Sequence, residues 1–222
     1  MTRQKSVLLS PIEELKISYE KQRKNIEARL AGFAAMQEAS DEKLYAEMAF
    51  CMLTPQSKAK QCWAAIEEIR KKGLLLSNDT KKISAVLRKR VRFHNNKARY
   101  MAENKELFIK NGKLRIRKFL LSFDNAKELR TWLARNVKGY GLKEASHFLR
   151  NAGLGEDLAI LDRHILKNLA KYGIIDEVPK TLTPKKYEEI EGKMAIFCKK
   201  EEIPMPHLDL LFWSGETGEI FK

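Results

Sequence analysis

The stretch from Leu133 to Gly153 reads L-A-R-N-V-K-G-Y-G-L-K-E-A-S-H-F-L-R-N-A-G. A helical pattern ends near Asn136, the turn Val137-Lys138-Gly139-Tyr140-Gly141 follows, and a new helix starts at once. Glycine supplies the backbone conformations that a tight helix-to-helix turn needs. Lacking Cβ atoms, Gly139 and Gly141 also let an anion approach the chain, where amides at the next helix N-terminus favour it. Such a turn suits a nucleic-acid backbone, held without reading its sequence; equally, it is a tight corner. Lys138 and Arg150 add positive charge that fits either phosphate or a solvated surface.

Two residues past Gly141, Lys143 falls in the first helical turn. The positive end of the helix dipole disfavours a cation there. Either a solvent-facing lysine tolerates a small penalty, or dipole and burial push its amine toward the neutral, nucleophilic form. Nineteen residues further on, Asp162 stands in Ile160-Leu161-Asp162-Arg163-His164-Ile165, ahead of the periodic Ile165, Leu166 and Leu169. It is placed to cap that helix, a role worth about 1 kcal/mol and compatible with catalysis.

Outward from this stretch the periodicity stays helical. Ser10-Pro11-x-Glu13 is a start signal, followed by Ile12, Leu15 and Tyr19 on one face. Ser40 precedes a second helix with Leu44, Met48, Cys51 and Met52 inward, ended by Thr54-Pro55. A third runs from Ser57 to Lys72, and shorter segments cover 83–87, 97–108 and 114–121, with a turn at Asn111-Gly112. Asp124 or Asn125 caps the next helix, Thr183-Pro184 opens a later one, and a last apolar helix spans His207 to Ser214. No alternating run with hairpin chemistry is evident. The expected fold is all-α, with about ten helices in two packed lobes and a cleft between them. The lobes are expected at 40–145 and at 1–39 plus 146–222.

The 222 residues carry 43 Lys+Arg against 29 Asp+Glu, a net charge of +14. That excess favours a polyanionic partner. Arg88 to Arg99 holds six basic residues and no acid, a block suited to phosphate neutralisation. An apolar fraction of 44% supports a buried core rather than disorder. No run approaches the roughly 18 apolar residues of a membrane span, and Met1–Leu9 carries no secretory apolar run. Three scattered cysteines, Cys51, Cys62 and Cys198, argue against a disulfide scaffold and for a reducing interior. The common zinc patterns are absent.

Gly139-Tyr140-Gly141-Leu142-Lys143 followed by Leu161-Asp162-Arg163-His164-Ile165 resembles the signature of the helix-hairpin-helix DNA glycosylases. Within that superfamily, Gly141-Leu142-Lys143-Glu144-Ala145-Ser146-His147-Phe148-Leu149-Arg150-Asn151 is similar to the archaeal-type (second-group) 8-oxoguanine DNA glycosylase/AP lyases. The Leu53-Thr54-Pro55-Gln56-Ser57 element, the length and a final lysine agree with that branch. Leu161 and Arg163 depart from the commoner V-D-T-H form. Only Cys198 falls late in the chain, so the four-cysteine iron–sulfur cluster of the endonuclease III type is not expected.

The resemblance implies a partner, double-stranded DNA containing oxidised guanine, and an enzyme acting as a monomer in the cytoplasm, with no membrane. It implies that Lys143 is the nucleophile and Asp162 its carboxylate partner. Lys138, Gly139 and Gly141 would hold the DNA backbone. Gln56 would be the wedge filling the gap left by the everted nucleotide. Phe93 and Trp213 are candidates to stack on the base, and His147 to border its pocket, although core packing serves each equally. Lys222 would help distinguish 8-oxoguanine from guanine. His164 is expected to be structural, and Asp209 to be an exposed acid on the last helix rather than a base contact near the pocket. No cofactor is implied beyond a structural Na⁺ or K⁺ on hairpin carbonyls.

Overall fold

The computed structural model describes residues 9–222. Residues 1–8, which hold most of the segment read for a secretory run, lie outside the described residues. The described residues are all-α apart from one short strand pair. They form two compact units: one gathers the described residues up to Leu30 with Leu161–Phe221, the other Ala31–Ile160 with Lys222.

The first unit begins with most of α1 (Pro11–Ala34). Its start is a capping box, the Glu13 carboxylate accepting from the Ser10 amide at 2.7 Å and Ser10 Oγ from the Glu13 amide at 3.3 Å. Leu15 and Tyr19 are buried as their spacing requires.

The second unit is built around α2 (Asp41–Leu53), capped by Ser40. Every residue from Leu44 to Leu53 is buried, as expected of a helix covered on all sides. Around it lie α3 (Ala59–Lys71), α4 (Thr80–Leu87) and α5 (His94–Lys105). A hairpin then joins β1 (Ile109–Lys110) to β2 (Lys113–Leu114). The expected Asn111-Gly112 turn is present, but it closes a strand pair that no alternating run announced. Both turn residues take positive φ, 52° and 70°, the geometry of a two-residue hairpin turn. Strands of two residues are too short to leave a period-2 pattern. Next come α6 (Ile116–Leu120), α7 (Ala126–Asn136), capped by Asn125, and α8 (Leu142–Asn151).

The remaining helices complete the first unit: α9 (Arg163–Lys171), α10 (Pro184–Glu201), capped by Thr183, and α11 (Met205–Thr217). Tyr19 Oη shares a 2.9 Å hydrogen bond with His207 Nδ1, and Ser214 Oγ donates to Gln22 at 2.7 Å, fixing α11 to α1.

The division into units departs from the expected 40–145 against 1–39 plus 146–222. That boundary would cut α8 in mid-helix. Ala145, Phe148 and Leu149 are buried on one side of a single cylinder, which packs on α2 and α7. The chain leaves the second unit only after Ile160.

Past α8, Gly153 has φ +75°, and a Cβ there would stand 2.8 Å from the Phe33 carbonyl oxygen. Its own carbonyl accepts from the Gln37 side chain. Gly153→Ala therefore meets both a left-handed backbone and a backbone atom that cannot rotate away. It should destabilise the protein by about 2 kcal/mol or more, measured as a lower midpoint in denaturant with an unchanged slope.

Candidate functional site

The hairpin between α7 and α8 is held from behind. Asn104, buried on α5, binds Lys138 at two points: its Oδ1 accepts from the Lys138 amide at 2.8 Å, and its Nδ2 donates to the Lys138 carbonyl at 2.9 Å. Tyr140 turns inward and donates to the Met48 carbonyl at 2.8 Å. Gly139 has φ +85°, and a Cβ there would come within 3.0 Å of the Tyr100 ring and 3.3 Å of the Met52 side chain. Glycine is thus required at 139 for conformation and space. Gly141, at φ −118°, is extended and needs no left-handed freedom. Its amide donates to Glu144 at 3.1 Å, the capping contact at the start of α8.

Lys143 lies in the first turn of α8, where its position in the sequence placed it. Its side chain is 23% exposed, and Nζ stands 3.7 Å from Glu144 Oε1, beyond hydrogen-bond length. Lys138 is exposed and pairs with Glu103 at 2.6 Å. Gln56 is exposed at the turn after α2 and has φ +56°, unusual for a residue with a side chain. The turn is tied down by Lys97, a buried lysine on α5. Its ammonium donates to the Leu53 and Pro55 carbonyls at 2.8 Å each and to Ser57 Oγ at 3.4 Å. Burial lowers the Lys97 pKa to about 8.

The candidate base-pocket residues separate. Phe93 is 53% exposed at the start of α5, with φ +57° and the Arg92 guanidinium 5.3 Å from its ring centre. The Arg92 amide donates to Ser57 Oγ at 3.0 Å, which joins Phe93's loop to that of Gln56. His147 and Lys222 meet instead around Phe50. The His147 ring stands edge-on to Phe50 at 5.7 Å, and Lys222 Nζ lies 5.3 Å from the same ring centre. Lys222 Nζ also lies 3.4 Å from the Trp63 ring centre and pairs with Glu47.

Asp162 and Trp213 belong to the other unit. Asp162 caps α9, its Oδ1 accepting from the His164 and Ile165 amides at 2.8 Å each. Trp213 stands edge-on to His164 at 5.4 Å. His164 also contacts Glu216 at 3.1 Å, in keeping with a structural role.

Two expectations are corrected. Arg150 is buried, with its guanidinium 4.9 Å from the Phe33 ring centre, and does not face solvent phosphate. Asp209 is buried too, because α11 turns that face inward. Sequence reading missed Glu47, Trp63, Lys97 and Asn104. Glu47 had a signal: it falls between Leu44, Met48 and Cys51 on a stripe already read as inward. Lys97 had a weaker one, being one residue before Ala98 and four before Met101.

The sequence model described as 8-oxoguanine DNA glycosylase matches residues 26–203. The chain belongs to this family. It is similar to the 8-oxoguanine DNA glycosylase/AP lyase of Fusobacterium nucleatum, 44% identical over 94% of this chain and 96% of the relative. Identity to the Methanocaldococcus jannaschii protein of the same name is 37%, over 97% of this chain and 100% of the relative. The M. jannaschii glycosylase/lyase in complex with a 15mer DNA containing 8-oxoguanine superposes with a TM-score of 0.84 at 35% identity, covering 95% of this chain and 97% of that one. The Thermotoga maritima 8-oxoguanine DNA glycosylase superposes at 0.83. Among the described residues no helix is long and apolar enough to cross a membrane.

His147 gives a pH test of this glycosylase fold. Neither ring nitrogen has a hydrogen bond of ordinary geometry. Burial first, then Arg150, Lys143 and Lys222, hold its pKa well below 6.5, with only the Lys222 backbone opposing. The folded state therefore binds fewer protons here than the unfolded state as pH falls below 6.5, and stability is lost in that direction. Between pH 6.5 and 5.5 the loss from this group should be about 1 kcal/mol. Denaturant unfolding at both pH values should show a steeper decline for the wild type than for His147→Gln, and equal declines would refute the assignment.

Proposed function

We propose that this family member acts in base-excision repair as a bifunctional 8-oxoguanine DNA glycosylase and abasic-site lyase. The observation that carries the reading is the half-buried Lys143 amine on the first turn of α8, directly beyond a hairpin whose backbone is fixed by Asn104 and Tyr140. The hairpin holds the DNA backbone through Lys138, Gly139 and Gly141, with Glu144 yielding the Gly141 amide to phosphate. Gln56 enters the duplex as the lesion nucleotide leaves the stack, which lowers the net cost of eversion. Its strained backbone presents the side chain outward.

The chemistry then follows from the amine. Unprotonated Lys143 Nζ bonds to the sugar C1′ as the glycosidic bond breaks, and the oxidised base leaves with a proton. The sugar ring opens, giving a Schiff base between Lys143 and C1′. Loss of a C2′ proton expels the 3′ phosphate, nicking the strand 3′ to the lesion. Asp162, fixed by two α9 amides, stabilises positive charge developing on the sugar. His147, Trp213 and Phe93 border or stack on the base, and Lys222 helps tell 8-oxoguanine from guanine. A structural Na⁺ or K⁺ fits hard carbonyl oxygens at the hairpin. Backbone carbonyls of the hairpin would hold such an ion. The enzyme acts as a monomer in the cytoplasm.

Borohydride treatment of the protein with an 8-oxoguanine duplex should trap a covalent adduct that vanishes in Lys143→Gln. Duplex binding with no trapped adduct from the wild type would instead make this a non-catalytic binding protein. Asp162→Asn should slow base release at least 100-fold while changing duplex affinity by less than about threefold, on the scale of a lost electrostatic catalytic group. Equal losses in both would reduce Asp162 to a helix cap.

A further inference from the structure

The reaction chemistry makes no use of the buried acid Glu47. Glu47 lies in the middle of α2 at 2% exposure. Its Oε1 accepts from Asn151 Nδ2 at 2.7 Å. Asn151 is fully buried at the end of α8, and its Oδ1 accepts from Arg150 Nε at 2.9 Å. The other Glu47 oxygen pairs with Lys222 Nζ, whose side chain is 11% exposed. The same ammonium stands 3.4 Å from the Trp63 ring centre and 5.3 Å from that of Phe50. A carboxylate this deep requires a compensating charge, and Lys222 supplies it.

We propose that Glu47 is the positioning residue through which Lys222 distinguishes the oxidised base from guanine. This rests on the reading of Lys222 given above. The four-carbon stem of a lysine has many rotamers to lose. A group that discriminates must be held in place by its own supporting shell. Glu47 and the two aromatic rings form that shell, and the Asn151–Arg150 pair keeps the carboxylate from turning. Guanine offers a hydrogen-bond acceptor at N7. 8-Oxoguanine carries N7–H there instead, so an ammonium free to swing would follow the acceptor and favour guanine. One engaged by Glu47 over Trp63 stays in a single place, where fit to only one base is rewarded.

The test compares single-turnover excision from matched duplexes holding 8-oxoguanine or guanine. Glu47→Gln keeps the size of the side chain and an oxygen for Asn151, but removes the charge. The lesion-to-guanine ratio should fall at least tenfold in Glu47→Gln and in Lys222→Met. The double variant should fall no further than the larger single loss, since both act through one contact. An amine-reactive acylating reagent, read by peptide mass, should modify Lys222 at least fivefold faster in Glu47→Gln than in the wild type. If Glu47→Gln does not fold, Glu47→Asp is measured in the same way, with a smaller drop expected.

A ratio unchanged in the Glu47 variant while Lys222→Met lowers it would overturn the proposal. So would additive losses in the double variant, or an unchanged rate of Lys222 acylation. If Lys222→Met itself leaves the ratio unchanged, the discriminating role of Lys222 fails and the proposal with it. That failure is distinct, because faster Lys222 acylation would still report the hold by Glu47.

Discussion

The Asn104 amide, bonded to both backbone polar groups of Lys138, is the constraint on which the site depends. A turn of five residues with two glycines is loose by composition. Here it is fixed from one side by Asn104, anchored on the other by Tyr140 to α2, and closed above by Tyr100 and Met52 over Gly139. The start of α8 is fixed in consequence. A helix of ten residues is about 15 Å of rigid rod, so fixing its first turn sets the direction of everything it carries. Lys143 stands at one end and Asn151 at the other. The position of the amine and the anchoring of Glu47 are therefore properties of the same helix.

A second constraint acts on the turn after α2. Gln56 and Phe93 both hold left-handed backbone conformations, and both side chains are exposed. For residues with side chains such conformations cost on the order of 1–3 kcal/mol each and persist only where neighbours determine them. Lys97 and Ser57 are those neighbours. The buried ammonium collects the Leu53 and Pro55 carbonyls ahead of Gln56 and Ser57 Oγ after it, and Ser57 Oγ takes the Arg92 amide as well. An exposed side chain gains nothing in packing from such strain; what it gains is a fixed direction.

Much of this was legible in the sequence for identifiable reasons. Helix starts at Ser10, Ser40 and Thr183 follow from short-range side-chain-to-amide chemistry, which is local by nature. The hairpin, Lys143 and the Asp162 cap were readable because each depends on spacing along a few residues. The strand pair at 109–114 was not, because two-residue strands leave no period. The unit boundary was not, because it depends on which helices α8 packs against. Arg150 and Asp209 were read as surface groups from their charge alone, yet burial is decided by partners distant in the chain. Asn151, which accepts from Arg150, is matched only by Glu47, 104 residues earlier. Such pairings have no signature in a single sequence beyond a charge set on an apolar stripe, as at Glu47.

The chemistry of this buried cluster also explains the state of His147. Three cations, Lys143, Arg150 and Lys222, act on its ring, which packs edge-on to Phe50. The nearby acids are Glu47, already shared between Asn151 and Lys222, and Glu144, engaged with the Gly141 amide. A protonated imidazole would add a fourth cation where both carboxylates are committed. It would also compete with Lys222 for Glu47, which pairs with that ammonium beside Trp63. Keeping the ring neutral thus protects more than the core, because it leaves the Glu47–Lys222 pair undisturbed.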